Sequence, residues 1–391
     1  MTLRVVHLGK YYPPAMGGIE THTQTLARHQ ANAGCDVRVV VVNHADKTGR
    51  DVTFEGRCQT PDRVECDGPV VVHRVGRVAN LAKLDIAPEL LATLVKLLRD
   101  PPDIWHLHAP NITMMLALAI YPAIRPLVIT HHSDIVRQRL LKHLVRPLER
   151  LICHRAERIL TDSPPYAGGS SLLAKHPTKV VALPLGIELD PFVNPSAAAL
   201  VHAEQLRASC TGPIWLSAGR LVYYKALDVA LRALKELPGM LHIIGTGPME
   251  PAWRSLAASL GVADRVVWRG RVSDEELIGT YCAATALWFP SNERSEGFGL
   301  VQVEAMACGC PVVNANIPHS GVPWVSRHDE TGLTVPVNDP KAFASASRCI
   351  LTEPGLRERL SREAVLQAKS RFDAVQMAAR SLEIYRETIA R

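Results

Sequence analysis

The feature that most constrains this chain is a rhythm: short runs of Val, Ile and Leu alternate with helical patterns along all 391 residues. Strands that alternate with helices form parallel sheets covered on both faces, so the fold class is α/β. In the first half the spacing predicts strands at Leu3–Leu8, Val37–Val42, Asp103–His108, Leu127–Thr130 and Arg158–Thr161, each bounded by Gly, Pro or Asp. The second half starts afresh. Strands are expected there at Ile214–Ser217, Leu241–Ile244, Val266–Trp268, Ala286–Phe289 and Pro311–Val313, and a helix over Ala226–Leu237. The chain is too long for one hydrophobic core, and periodicity fades within Pro184–Ser209. The expected organisation is therefore a domain over 1–190, a second over 191–371, and a helix at 372–391 that packs back toward the first.

Composition narrows the function class. Hydrophobic residues make up 47% and charged residues 21%, which suits a packed soluble protein and excludes disorder. A formal charge of +6 suits an anionic ligand or membrane surface, whereas no motif or basic block interleaved with aromatics points to nucleic acid. The nine Cys are scattered without a C-x-x-C pair, as expected of reduced cytosolic thiols. No apolar run approaches the roughly 20 residues of a spanning helix, and the N-terminal run is too short for a signal peptide, so the expected location is cytoplasmic.

Three loops carry residues suited to chemistry. After the first strand, Gly17 and Gly18 open a helix that ends near Gly34, where backbone N–H groups could meet an anion; a tight turn alone would also explain them. They do not form the G-x-G-x-x-G fingerprint of dinucleotide enzymes. The stretch GRLVYYKALDVAL follows the first strand of the second half and puts Arg220 and Lys225 at a sheet's carboxyl edge. Such a pair can clamp a diphosphate, or can be two solvated cations. The stretch SEGFGLVQVEAMACGCPVV places Glu296 before a helix expected to begin near Leu300 and Glu304 about a turn into it, with Gly299 loosening the entry and Gly309 closing it. Acceptor-only carboxylates suit vicinal diols, while the free N–H groups near Leu300 suit phosphate. In HHSD, His132 follows a predicted strand end beside Asp134, its candidate orienting partner or an acceptor-side base. His106, His108 and Asn111 are similarly placed and read equally well as packing residues.

Together the GRL-x3-K and E-x7-E stretches, about 70 residues apart, resemble retaining glycosyltransferase family 4. PPAMGGIE, DIWHLHAPN, VITHHSDIV, IIGTGP and RVVWRGRVSDEEL extend the likeness over nearly the whole chain. The departure is Ala226, where the family commonly has Gly. The resemblance implies the GT-B fold, two Rossmann-like domains whose parallel sheets face a central cleft. It implies that Arg220 and Lys225 hold the donor diphosphate, Glu296 the sugar hydroxyls and Glu304 the ribose. Arg269 and Gly270 would edge the base, and Phe298, Gly299 and Leu300 would lie along sugar and phosphates. Gly18 would meet the donor and His132 the transferring sugar. His108, Asn111 and Asp134 would stand on the acceptor side.

The reading that follows is a metal-independent, retaining hexosyltransferase with no cofactor beyond its nucleotide-sugar co-substrate. GDP-mannose is preferred over a UDP-sugar from the Ser320–Ser326 region, and the acceptor is a glycan or lipid-linked oligosaccharide of surface-polysaccharide synthesis. The alternatives are a sugar-nucleotide epimerase of the same architecture and a non-catalytic glycan- or nucleotide-binding subunit. The basic, Leu-rich segment Arg137–Arg158, expected to break or kink at Pro147, reads either as a helix packed on the sheet or as a peripheral membrane contact.

Overall fold

The computed structural model describes residues 2–15, 17–44, 59–81, 84–134 and 139–390, with side chains described outside 139–144. Met16 of the glycine loop and Ile135, Val136 and Arg137 lie outside the described residues. The chain divides into two compact units: residues 1–186 together with 374–391, and residues 187–373.

The first unit holds β1 (Arg4–Leu8), β2 (Asp36–Val42), β3 (Arg63–Asp67), β4 (Val70–Val75), β5 (Ala79–Leu81), β6 (Leu84–Ile86), β7 (Ile104–Ala109), β8 (Leu127–His131), β9 (Arg158–Thr161) and β10 (Val180–Ala182). Eight of them form one sheet in the order β10-β9-β8-β7-β1-β2-β4-β3, parallel except for the β3–β4 pair; β5 and β6 form a small hairpin. The central strands are buried on both faces, which explains why they read as unbroken apolar runs. Sequence periodicity missed β3, whose residues are largely exposed, the buried β4 beside it, the three-residue β5, β6 and β10, and β16 at the edge of the second sheet.

The second unit holds β11 (Ile214–Ala218), β12 (Met240–Ile244), β13 (Val266–Gly270), β14 (Ala286–Phe289), β15 (Val312–Ala315) and β16 (Gly332–Val335), all parallel, in the order β13-β12-β11-β14-β15-β16. Trp215 and Trp288 stack at 4.7 Å in its core, with Phe343 edge-on to Trp288. The Leu227–Leu234 helix is shorter than expected but buries Leu227, Leu231 and Leu234 on that core.

Both sheets reverse direction of winding beside their first strand, at β1/β7 and at β11/β14. Ligands of open α/β sheets bind beyond the carboxyl ends of the strands at such switch points. The loops after β1, β7, β11 and β14 are the segments that carry the Gly17–Gly18, His-Ala-Pro-Asn, Arg220–Lys225 and Glu296 residues.

The basic segment forms one helix, Arg139–Arg155, which runs through Pro147 rather than breaking there. Val145, Ile152 and Cys153 are buried in the core of the first unit with Leu148 packed against it, so this half of the apolar stripe is satisfied by the sheet. Arg155 reaches back to backbone carbonyls of Leu118 and Tyr121, capping the preceding Ile112–Ile120 helix.

Candidate active site

In the second unit, the strand β11 ends at Ala218 and the chain turns at Gly219, which has φ 129°. The turn lets Lys225 run back over the glycine, so that its Nζ would lie 3.5 Å from a Cβ at that position. Lys225 ends a short 3-10 turn, and the next residue, Ala226, adopts left-handed φ 47°. Gly is the residue that adopts this conformation without strain; Ala accepts it at about 1–2 kcal/mol and keeps the turn. Lys225 Nζ then sits 2.6 Å from Glu296 Oε2 and 4.5 Å over the Phe289 ring at the end of β14, with the two side chains only 14% and 12% exposed. Ser291 Oγ donates to the same carboxylate oxygen at 3.3 Å. Arg220, five residues before Lys225, is exposed, and among the described residues its guanidinium has no ion-pair or hydrogen-bond partner.

The loop from Glu296 to Gly299 is pinned from below. Ser320 Oγ donates to the Glu296 carbonyl, and Gly321 N–H to the Gly297 carbonyl at 2.7 Å. Gly299 enters the Leu300–Ala307 helix at φ 76°, where a Cβ would lie 2.7 Å from Phe289 Cζ. Only glycine fits, and the helix N-terminus beside Leu300 is left without a side-chain cap. Phe298 departs from expectation: its ring is buried against Trp324 and Phe372 instead of lining a ligand. The Ser320–Ser326 segment is likewise occupied in holding the loop and in accepting from Asn314 at the Ser326 carbonyl.

Glu304 faces Tyr281, whose hydroxyl donates to Oε2 at 2.8 Å. Burial raises the Glu304 pKa, and Tyr281 and Lys225 act against that. Tyr281 was missed from sequence; it fixes one oxygen of the Glu304 carboxylate. Arg269 Nε donates to His242 Nδ1 at 3.4 Å near the end of β13, where Gly270 turns at φ 64°. We expect Glu304→Ala to weaken nucleoside diphosphate binding by about 1.5–3 kcal/mol and Tyr281→Phe by less than half of that, read by calorimetric titration. Unchanged affinity in Glu304→Ala would remove it from the ribose role.

In the first unit, Gly17 and Gly18 stand at the start of the Gly18–Asn32 helix. Space above Gly18 is open, whereas a Cβ on Gly17 would meet the Glu20 carboxylate. Three candidates take different positions from those the resemblance implies, and His106 takes the packing position that the sequence also allowed. His108 is 1% exposed, so it cannot face an acceptor directly. Asn111 is the N-cap of the Ile112–Ile120 helix, its side chain accepting from Met114 N–H. Asp134 orients His131, not His132, through a 3.0 Å contact with Nε2, and also accepts from Ser170 Oγ. His106 is buried between Tyr385 and Thr130. His132 is half-buried beyond the end of β8, with its backbone N–H bonded to the Ala109 carbonyl at 3.0 Å.

Comparison with known proteins decides the family. The model described as Glycosyltransferase Family 4 matches residues 16–191, and that described as Glycosyl transferases group 1 matches residues 202–367. A D-rhamnosyltransferase, WbpZ of Pseudomonas aeruginosa, is 32% identical over 375 residues, covering 95% of this chain and 93% of the relative. The chain belongs to glycosyltransferase family 4. The O-antigen chain mannosyltransferase C of Escherichia coli is 29% identical, covering 98% of this chain and 97% of its own. Among solved structures, Anabaena HepE in complex with UDP aligns with a TM-score of 0.77 at 18% identity, covering 98% of this chain and 100% of HepE. The fold of this glycosyltransferase is GT-B.

Proposed function

We propose that this glycosyltransferase moves a hexose of manno configuration, with GDP-mannose as first donor and a UDP-sugar as second, onto a hydroxyl of a glycan or lipid-linked oligosaccharide in surface-polysaccharide synthesis. The observation that carries the reading is the buried Lys225–Glu296 pair at the switch point, beside an uncapped helix N-terminus and the free Arg220. Cleavage of a glycosyl–phosphate bond builds negative charge on the departing diphosphate, and cations preorganised there stabilise it. Glu296, an acceptor-only group, suits the donor sugar's hydroxyls, and Glu304 the ribose. The names of the two full-length relatives, a mannosyltransferase and a D-rhamnosyltransferase, both concern manno-configured sugars, since rhamnose is 6-deoxymannose.

Glu296 is engaged by Lys225 and Ser291 and is poorly disposed to attack an anomeric carbon. Retention then proceeds by front-face substitution, in which the leaving phosphate takes the acceptor's proton, and His132 meets the transferring sugar. A sugar-nucleotide epimerase or a pure binder would not require a leaving-group clamp.

With Arg220, Lys225 and the helix N-terminus meeting the phosphates, turnover survives excess EDTA. Complete loss that magnesium or manganese restores would show a metal requirement. Association with a membrane remains part of the proposal: no helix among the described residues is long and apolar enough to cross one. Arg155 is engaged by carbonyls and Arg158 is buried, so the exposed Arg150 and the cations toward the start of the basic segment are left to draw the protein to anionic vesicles at low salt, each adding about 1 kcal/mol. Equal, negligible sedimentation with neutral and anionic vesicles would refute it.

A further inference from the structure

The first unit buries an array of histidines that the transfer reaction does not by itself require. Alternation along β7 puts His106 and His108 on one face, and the register pairs His7 of β1 with His106. Thr130 of β8 lies level with His108. His7, His106 and His108 are completely enclosed, and His22 of the Gly18–Asn32 helix packs edge-on to both His108 and His132. Three hydrogen bonds link these rings into a line: His132 Nε2 to His108 Nδ1 at 3.2 Å, His108 Nε2 to His7 Nδ1 at 3.0 Å, and His7 Nε2 to Gln30 Oε1 at 2.8 Å.

The direction of that line is fixed at its far end. Ser381 spends its hydroxyl proton on the Ala378 carbonyl, so its oxygen accepts from Gln30 Nε2 at 2.8 Å. The same amide nitrogen donates to Tyr385 OH, which is also hydrogen-bonded to His106 Nδ1. The amide oxygen of Gln30 therefore faces His7, and an amide oxygen can only accept. A neutral imidazole has one donor and one acceptor nitrogen. His7 donates from Nε2 and accepts at Nδ1; His108 must then donate from Nε2 and accept at Nδ1; His132 must donate from Nε2. Burial keeps these rings neutral: His7 is held down to about 4, and His108 and His132 well below the usual histidine value.

We propose that Gln30, acting through His7 and His108, fixes the tautomer of His132 so that its Nδ1 is a bare acceptor for a substrate hydroxyl. Gln30, His7 and His108 are positioning residues, and Ser381 and Tyr385 of the C-terminal Ala374–Ile389 helix anchor them. The substrate class follows from the chemistry: a ring offering only a lone pair takes a sugar O–H and repels an oxyanion, so His132 serves the sugar and not the diphosphate. This rests on the proposed role of His132 in meeting the transferring sugar.

The test is nitrogen-15 spectroscopy of the full chain labelled at histidine, with the His132 resonance assigned by its loss in His132→Ala. At pH 7.5 the expected result is protonated Nε2 and unprotonated Nδ1 on His132. Gln30→Met, which keeps the volume and removes the acceptor, is expected to mix the two tautomers and to lower kcat at least about tenfold, with nucleoside diphosphate affinity unchanged. A proton on Nδ1 of His132 in the wild-type protein overturns the proposal, as does a pure Nε2–H tautomer in Gln30→Met. A metal ion retained by His22, His108 and His132, whose nitrogens lie within 4.8 Å of one another, would replace these hydrogen bonds and also overturn it. Full activity of His132→Ala would sink the sugar-binding role while leaving the tautomer result standing, so the two failures are separable.

Discussion

Lys225→Ala is expected to lower kcat by about 10²–10³, the range for removing one preorganised group that stabilises charge developing in a transition state. The loss has two parts. The departing diphosphate loses a cation, and Glu296, which is only 12% exposed, loses the partner that balances its charge. The double variant Lys225→Ala/Glu296→Gln separates them: removing the stranded charge recovers stability but not turnover. Thermal melts and steady-state kinetics of the three proteins check this, and wild-type kcat in Lys225→Ala would contradict the leaving-group role.

The second large effect is acid lability of the first unit. His7 has a folded pKa of about 4 and His22 of about 3, with His106 and His108 also well below the ordinary value near 6.5, all chiefly because burial disfavours the charged ring. Well above pH 6.5 neither folded nor unfolded chain binds protons at these sites, and stability is full. As pH falls from 6.5 toward 4 the unfolded chain takes up protons that the folded one refuses, so stability falls. Each site costs at most about 1.4 kcal/mol per pH unit, and the four together at most about 5.6 per unit, so one to two units of acidification is comparable with the net stability of about 5–15 kcal/mol of a typical domain. The first unit is expected to melt at progressively lower temperature from pH 6.5 and to unfold near pH 5, with the second unit persisting. Among the described residues His22 has no hydrogen-bond partner for either ring nitrogen, so His22→Leu should shift the acid midpoint downward. A melting temperature that is flat between pH 7 and pH 5 would contradict the burial of neutral rings.

Much of this molecule was legible in its sequence because its central strands are buried on both faces and therefore spell continuous apolar runs. The strands at Arg158–Thr161 and Ala286–Phe289 were placed to the residue, and the helix start at Leu300 followed from the glycine ahead of it. Gly299 read only as a residue that loosens the entry to the helix; that glycine is required there follows from the Phe289 ring, 2.7 Å from where a Cβ would lie. The partners of the site residues were not readable. Tyr281 lies 23 positions before Glu304, and Ser320 lies 24 after Glu296, so only the packing of the sheet brings them together. Asp134 was misjudged because proximity in sequence suggested His132; adjacent residues at a strand end point to opposite sides, and the carboxylate reaches His131. The HLH of β7 carried half of the histidine array by period-two alternation, but its union with His7 depends on the β1–β7 register.

The central claim is transfer from a nucleotide-diphosphate sugar. The measurement that tests it most directly is nucleoside diphosphate release from a panel of sugar nucleotides, GDP-mannose first, with and without a lipid-linked oligosaccharide acceptor, followed by assignment of the anomeric configuration of the product. The expected result is release that depends on acceptor, is greatest with a manno-configured donor, and yields a product with the donor's anomeric configuration. Donor consumed without acceptor to give an isomerised sugar nucleotide, or no release from any donor, would contradict it.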